Sequence, residues 1–219
     1  MDKLRLRFSK TGRAVYISHL DLMRTMQRAF LRAGYALKYS EGFNPHPQIS
    51  ILLPLPVGCG SVCELMDFTL TEKAALDELP RRLTRALPEG IRALEAYAPE
   101  TKAKQLKWLE IEGRFEYDGR ETAAMAGGVN AFFARESIMI RKKTKRGEGE
   151  SDIAAAIKSF RAEAREDALL VHALVSAQEP ALSPGLLPSA LRQLAPELAP
   201  DFAGFTRLET YGENMSVFR

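Results

Sequence analysis

Soft metal ligands are scarce in this chain of 219 residues, which has two cysteines, three histidines and one tryptophan. Cys59 and Cys63 lie four apart in a glycine-bearing stretch, whereas structural zinc sites and iron–sulfur clusters draw on three or four such ligands. The expectation is two reduced thiols, no metal and no cofactor. Long hydrophobic runs are missing too: Ile49–Val57 and Ala168–Val175 are short and interrupted by Pro, Ser or His, so neither spans a bilayer. The chain begins at once with the strand-like Leu4-Arg5-Leu6-Arg7-Phe8, with none of the apolar core of a signal peptide, which predicts a cytoplasmic protein. There is also no phosphate-cradling Gly-rich loop behind a strand and no nucleophile elbow, which removes the commonest nucleotide-hydrolysing and esterase chemistries.

What remains is an ordinary soluble composition, 46% hydrophobic and 27% charged, with a net charge of +3 and a pI near 8.9. That balance permits a polyanionic partner without demanding one, so the distribution of charge matters more than its sum. Leu4, Leu6 and Phe8 alternate with Lys3, Arg5 and Arg7 as a half-buried strand does, and Glu64 and Asp67 on a neighbouring strand are placed to neutralise the basic side. Ser18 caps a helix with Asp21 three residues on, and Leu22, Met23, Met26, Ala29, Phe30 and Ala33 form its buried side before Gly34 stops it. Strands are expected at Leu37–Tyr39, Ile49–Leu55, Cys63–Leu70 and Ile91–Tyr97, with a helix capped by Asp77 and carrying Pro80 in its first turn.

The same order recurs after a polar linker at 99–107. Trp108–Tyr117 reads as a strand, Met125–Phe133 as a helix weakened by Gly127-Gly128 at about 1 kcal/mol per glycine. Ile138–Lys143 and Ser159–Ala164 read as strands flanking a charged excursion, Ala168–Ala177 as another strand, Leu187–Leu198 as a helical region and Phe205–Tyr211 as the last strand. The prediction is an α+β protein of two tandem ferredoxin-like β-α-β-β-α-β sandwiches with antiparallel sheets, occupying 1–98 and 108–219.

Three features carry candidate chemistry. On the first helix Asp21, Arg24, Arg28 and Arg32 fall within about 80° of one another, a guanidinium stripe suited to phosphates or to plain solvation. In the loop Tyr39-Ser40-Glu41-Gly42-Phe43-Asn44-Pro45-His46-Pro47, Tyr39, Phe43 and His46 offer rings for nucleobases, beside Asn44. His19 and His46 are the candidates for proton transfer, against the alternative of a structural imidazole bonded to backbone; His172, inside an apolar strand, is read as the structural kind. Arg141, Lys142, Lys143, Lys145 and Arg146 crowd five cations into six residues ahead of Glu148 and Glu150, the pattern either of a nucleic-acid contact or of a charged hairpin tip.

The segments Arg5–Lys10, Ile17–Arg24, Tyr39–Pro47 and Leu53–Gly58 resemble the radical-SAM-linked family of bacterial proteins of unknown function. That resemblance implies a radical S-adenosylmethionine protein as partner and RNA or ribosome biology, with no assigned activity. More distantly, the architecture is similar to the RAMP superfamily of tandem ferredoxin-like proteins that bind or cut RNA, but Gly204 and Gly212 stand alone where that group has a Gly-rich C-terminal loop. The leading expectation is a non-catalytic RNA-binding or substrate-presenting partner, with no membrane association and no preference for DNA. The alternatives are a metal-free endoribonuclease using His19 or His46, and a protein-binding adaptor.

Overall fold

The computed structural model describes residues 2–144 and 147–219. They form a mixed α+β protein with antiparallel strand pairing and, among the described residues, four α-helices. Two compact units emerge, one running to Gln105 and taking in Arg219, the other Leu106–Phe218.

The first unit contains β1 (Leu4–Lys10), α1 (His19–Arg32), β2 (Ile49–Ile51), β3 (Gly60–Phe68), α2 (Leu79–Ala86) and β4 (Ile91–Tyr97). Its strands lie in the order β4-β1-β3, with β2 on the outer side of β3. Leu4 pairs with Phe68 and Leu6 with Met66, which turns the apolar half of both strands toward the helices. Leu6, Phe8, Met26, Phe30, Met66, Phe68, Leu79 and Leu83 are buried there as one core, with the Phe30 and Phe68 rings 4.9 Å apart. α1 begins where expected, because the Ser18 hydroxyl accepts from the Asp21 N–H, satisfying one of the orphan donors of a helix start.

Several expectations are corrected here. Leu37–Tyr39 is no strand but two isolated bridges, Leu37 to Leu70 and Tyr39 to Pro47. The segment Ile49–Leu55 is a strand as far as Ile51, after which the Leu52 N–H donates to the Leu65 carbonyl; Pro54 and Pro56 have no N–H to continue a ladder. The cap position of α2 is Glu78 rather than Asp77, and it makes no side-chain capping bond. Asp67 does neutralise Arg5, whose Nε lies 2.6 Å from its carboxylate. Glu64 instead stands opposite Phe8, on the other face, since residues three apart on a strand point opposite ways.

The second unit holds β5 (Trp108–Glu116), α3 (Thr122–Phe133), β6 (Met139–Thr144), β7 (Gly147–Asp152), β8 (Ile157–Ala164), β9 (Ala168–Ser176), α4 (Leu186–Leu194) and β10 (Phe202–Tyr211). The order β10-β5-β9-β8 repeats the last-first-third-second arrangement of the first unit, and β6-β7 form a separate hairpin inserted between α3 and β8. Two glycines are there for room. A Cβ on Gly128 would stand 2.7 Å from Leu198 Cδ2, so the helix cost of this glycine accompanies a close approach; a Cβ on Gly113 would stand 2.8 Å from the Phe205 ring. α4 starts at Leu186, which leaves Pro188 in its first turn where a missing N–H is tolerated.

The described residues of the charged excursion form a two-stranded ribbon. Asp152 accepts from the N–H groups of Ile138 and Ala154, each at 2.9 Å, while Ile138, Ile140 and Ile153 are buried at its base. Gln193 on α4 accepts from the Arg141 N–H at 2.8 Å and donates to the Arg141 carbonyl at 3.1 Å. His172 is also corrected: Val171, Ala173 and Val175 are buried, while Leu170, His172 and Leu174 take the other parity and are only half-buried. It lies on the sheet face away from the helices.

Candidate nucleic-acid interface

α1 fixes the first set of residues. Its cap locks Asp21, whose carboxylate takes the Ser18 hydroxyl at 2.8 Å and an Arg24 Nη1 at 3.2 Å. The two charges partly cancel as an ion pair, one weakened by solvent because both side chains are largely exposed. Arg32 takes a different role, donating to the Ala86 carbonyl at the end of α2, while Arg82 donates to the Ala33 carbonyl at the end of α1 and lies 4.7 Å from the Tyr35 ring centroid. Such bonds satisfy terminal carbonyls and place cations at helix C-termini. The stripe predicted from spacing is thus divided: Arg32 ties the helices together, and Arg28 faces a cleft.

That cleft, about 310 Å³ in volume, lies along the C-terminal half of α1 and is lined by Gln27, Arg28, Leu31, Tyr35, Leu37 and Tyr39. Leu31 is 76% and Tyr39 54% exposed. A second hollow of about 460 Å³, with Glu72, Lys73 and Arg82, shares Tyr35 and Ala36 with it. The loop that follows is closed at its neck by the Tyr39–Pro47 bridge and by the Ser40 N–H donating to the His46 carbonyl at 2.9 Å. Within it the Ser40 Oγ and His46 Nδ1 are 2.9 Å apart, and the His46 N–H donates to that same oxygen. Gly42 takes φ +117°, a conformation suited to glycine. Glu41 to His46 are exposed, and Phe43 at the tip is bare to solvent. A hydrogen-bonded loop holding a naked ring forgoes burial that a phenylalanine otherwise favours by about 1.5–3 kcal/mol.

The two histidines do not meet. α1 and hence His19 follow the Lys10 end of β1, while the loop bearing His46 leads into Ile49, which pairs with Phe68 and so stands at the Leu4 end. The strand between these ends spans about 20 Å. Cation and ring meet elsewhere, Arg28 and Tyr39 lining one cleft.

On the ribbon, Lys142 and Lys143 lie on β6, and Lys145 and Arg146 are outside the described residues. Arg141 stands opposite Glu150, Lys142 opposite Gly149 and Lys143 opposite Glu148 in register, and Glu150 returns beside Arg141 at 4.0 Å.

Sequence reasoning passed over Lys10. It has the strand parity of Leu6 and Phe8 and is 1% exposed, with its Nζ donating to the Val15 carbonyl at 3.0 Å. Burial holds this ammonium below the usual lysine range, partly offset by Glu64 and Cys59. The Gly58 N–H donates to the same carbonyl at 2.9 Å, so the Leu53–Gly58 segment is pinned at this end. Parity was the available signal. Among the described residues no group of three or more His, Cys, Asp and Glu is placed to hold a metal, and no helix is long and apolar enough to cross a membrane.

No curated protein matches the chain. Among solved structures it is similar to a chain of a Cbf5–Nop10–Gar1 complex, at 10% identity and a TM-score of 0.49, covering 94% of this chain and 48% of that one. It therefore spans about half the length of that relative. A second likeness, to an unknown protein from Galdieria sulphuraria, has 10% identity and a TM-score of 0.26 over 94% of this chain and 98% of that one. Neither carries weight for function. A family model matches residues 3–184, and the chain therefore belongs to DUF2344, a family of uncharacterized proteins conserved in bacteria.

Proposed function

We propose that this is a non-catalytic RNA-binding protein of the cytoplasm, built on two ferredoxin-like units, that holds RNA on the outer side of α1 and presents it to a partner. The observation that carries the reading is the cleft in which Arg28 and Tyr39 face one space, beside a hydrogen-bonded loop that leaves the Phe43 ring uncovered. A guanidinium matches a phosphate and flat rings take bases, a combination that is tolerant of sequence. The split β-α-β order of both units supports the ferredoxin-like part of the reading. A radical S-adenosylmethionine enzyme as the partner rests on the likeness of the Ser18–Arg24, Tyr39–Pro47 and Leu53–Gly58 segments. The separation of His19 from His46 speaks against an acid–base pair and thus against the ribonuclease alternative.

Filter binding with single-stranded RNA tests this. Each ring–base stack contributes about 1–3 kcal/mol, so Tyr39→Ala/Phe43→Ala is expected to weaken binding by about tenfold or more with the fold intact by circular dichroism. Unchanged affinity in that variant, or no RNA affinity in the native protein, would sink the proposal.

A further inference from the structure

The second unit has a hollow of its own, on the sheet face away from α3 and α4. It measures about 410 Å³ and is lined by Glu110, Arg161, His172, Leu174, Tyr211 and Met215 among others, a size in the range of ligand sites. Strand register explains the grouping: Glu110 stands opposite Leu174, and Arg161 opposite His172. Glu112, opposite His172 on β5, lies beside the hollow and not in its lining. The chain after β10 turns back, with the Gly212 N–H donating to the Ser216 carbonyl at 2.9 Å, which brings Met215 over the end of the hollow.

The charges here are unequal in their commitments. Arg161 is engaged by Glu163 at 2.9 Å, and Lys158 sits 5.0 Å from the centroid of the Trp108 ring. The Glu110 carboxylate, by contrast, is fixed by an uncharged group, accepting from the Tyr211 hydroxyl at 2.6 Å. Among the described residues neither Glu110 nor Glu112 has an ion pair. A carboxylate held by a hydroxyl, a second acid two residues along the strand and the Tyr211 side chain suit an ammonium or guanidinium.

We infer that this hollow binds a basic side chain, arginine or lysine, of an extended peptide segment of a partner protein. The spacing favours a peptide over a small amine. Glu110 and Glu112 project from one face of β5 about 6.8 Å apart, the interval at which alternate side chains of an extended chain recur, so two cations on one peptide meet both acids at once. This site is separate from the α1 cleft and goes beyond RNA binding: it gives the protein a protein partner through the other unit.

The test uses the full chain and a fluorescein-labelled hexapeptide of alternating Arg and Ser, read by anisotropy at physiological salt. The seven methionines are carbon-13 labelled at their methyl groups to report position. The expected result is a moved Met215 methyl signal and a peptide affinity lowered about tenfold in Glu110→Gln/Glu112→Gln. Tyr211→Phe, which keeps the ring and releases the carboxylate, lowers it severalfold, and RNA retention by both variants matches the native protein. Equal peptide affinity in native protein and variants, or binding that leaves the Met215 methyl unmoved, would overturn the inference. So would spermidine displacing the peptide at matched charge concentration, since a generic cation site would then suffice.

Discussion

Lys10 enters the core side of the first unit with Leu6 and Phe8, yet ends on the Val15 carbonyl rather than on an aliphatic neighbour. Burial lowers its proton affinity more than Glu64 and Cys59 restore it, so an unfolded chain keeps this proton to higher pH than the folded one does. Between the lowered value and the ordinary lysine range the unfolded state therefore binds more protons, and stability rises with pH. Lys10→Met removes that rise. Thermal melts of native and variant protein across mild alkali are expected to show the native form gaining on the variant as pH climbs; a constant gap would refute the assignment. The position was legible in the alternation of β1 but was masked by the attention that Lys3, Arg5 and Arg7 draw. His172 was misread for the converse reason: its flanking leucines, Leu170 and Leu174, share its half-exposed parity, so an apolar run concealed an open face.

At the level of elements, alternation and capping made the long strands and α1 readable, since Ser18, Leu22, Met26 and Phe30 all agree on one helix. β7 was not readable, because Gly-Glu-Gly-Glu has neither apolar alternation nor strand propensity; pairing with β6 creates it. Its last residue anchors the ribbon. The N–H of Ile138, the Ser137 side chain and the N–H of Ala154 hold the Asp152 carboxyl below the usual carboxylate range. That stabilisation is present above the unfolded value and is lost as pH falls through the folded one. Asp152→Asn is thus expected to speed hydrogen exchange of the β6 and β7 amides relative to those of β5 at neutral pH, and to abolish the further loosening that acid brings to the native ribbon. Protection that is the same in both proteins would place the anchor elsewhere.

For the whole molecule, a net charge of +3 leaves little general pull on a polyanion, so the proposed RNA binding requires placed cations and an affinity that falls with salt. For single strands the logarithmic slope changes by about 0.7 per cation that meets a phosphate. Arg24→Gln/Arg28→Gln is expected to flatten the slope accordingly, whereas Arg32→Gln, which breaks the tie to Ala86, lowers the melting temperature more than the slope; equal slopes in all three proteins would remove α1 from the contact. That the chain belongs to an uncharacterised family conserved in bacteria was legible in local motifs, but their division between two ends of the first unit was not, because proximity is set by register that no motif records. One side chain has a wider reach. By offering its amide to both backbone groups of Arg141, Gln193 mimics the rung of a neighbouring strand and occupies a rim of the ribbon that would otherwise solicit a further chain. A leucine in its place would leave both of those backbone groups without this partner.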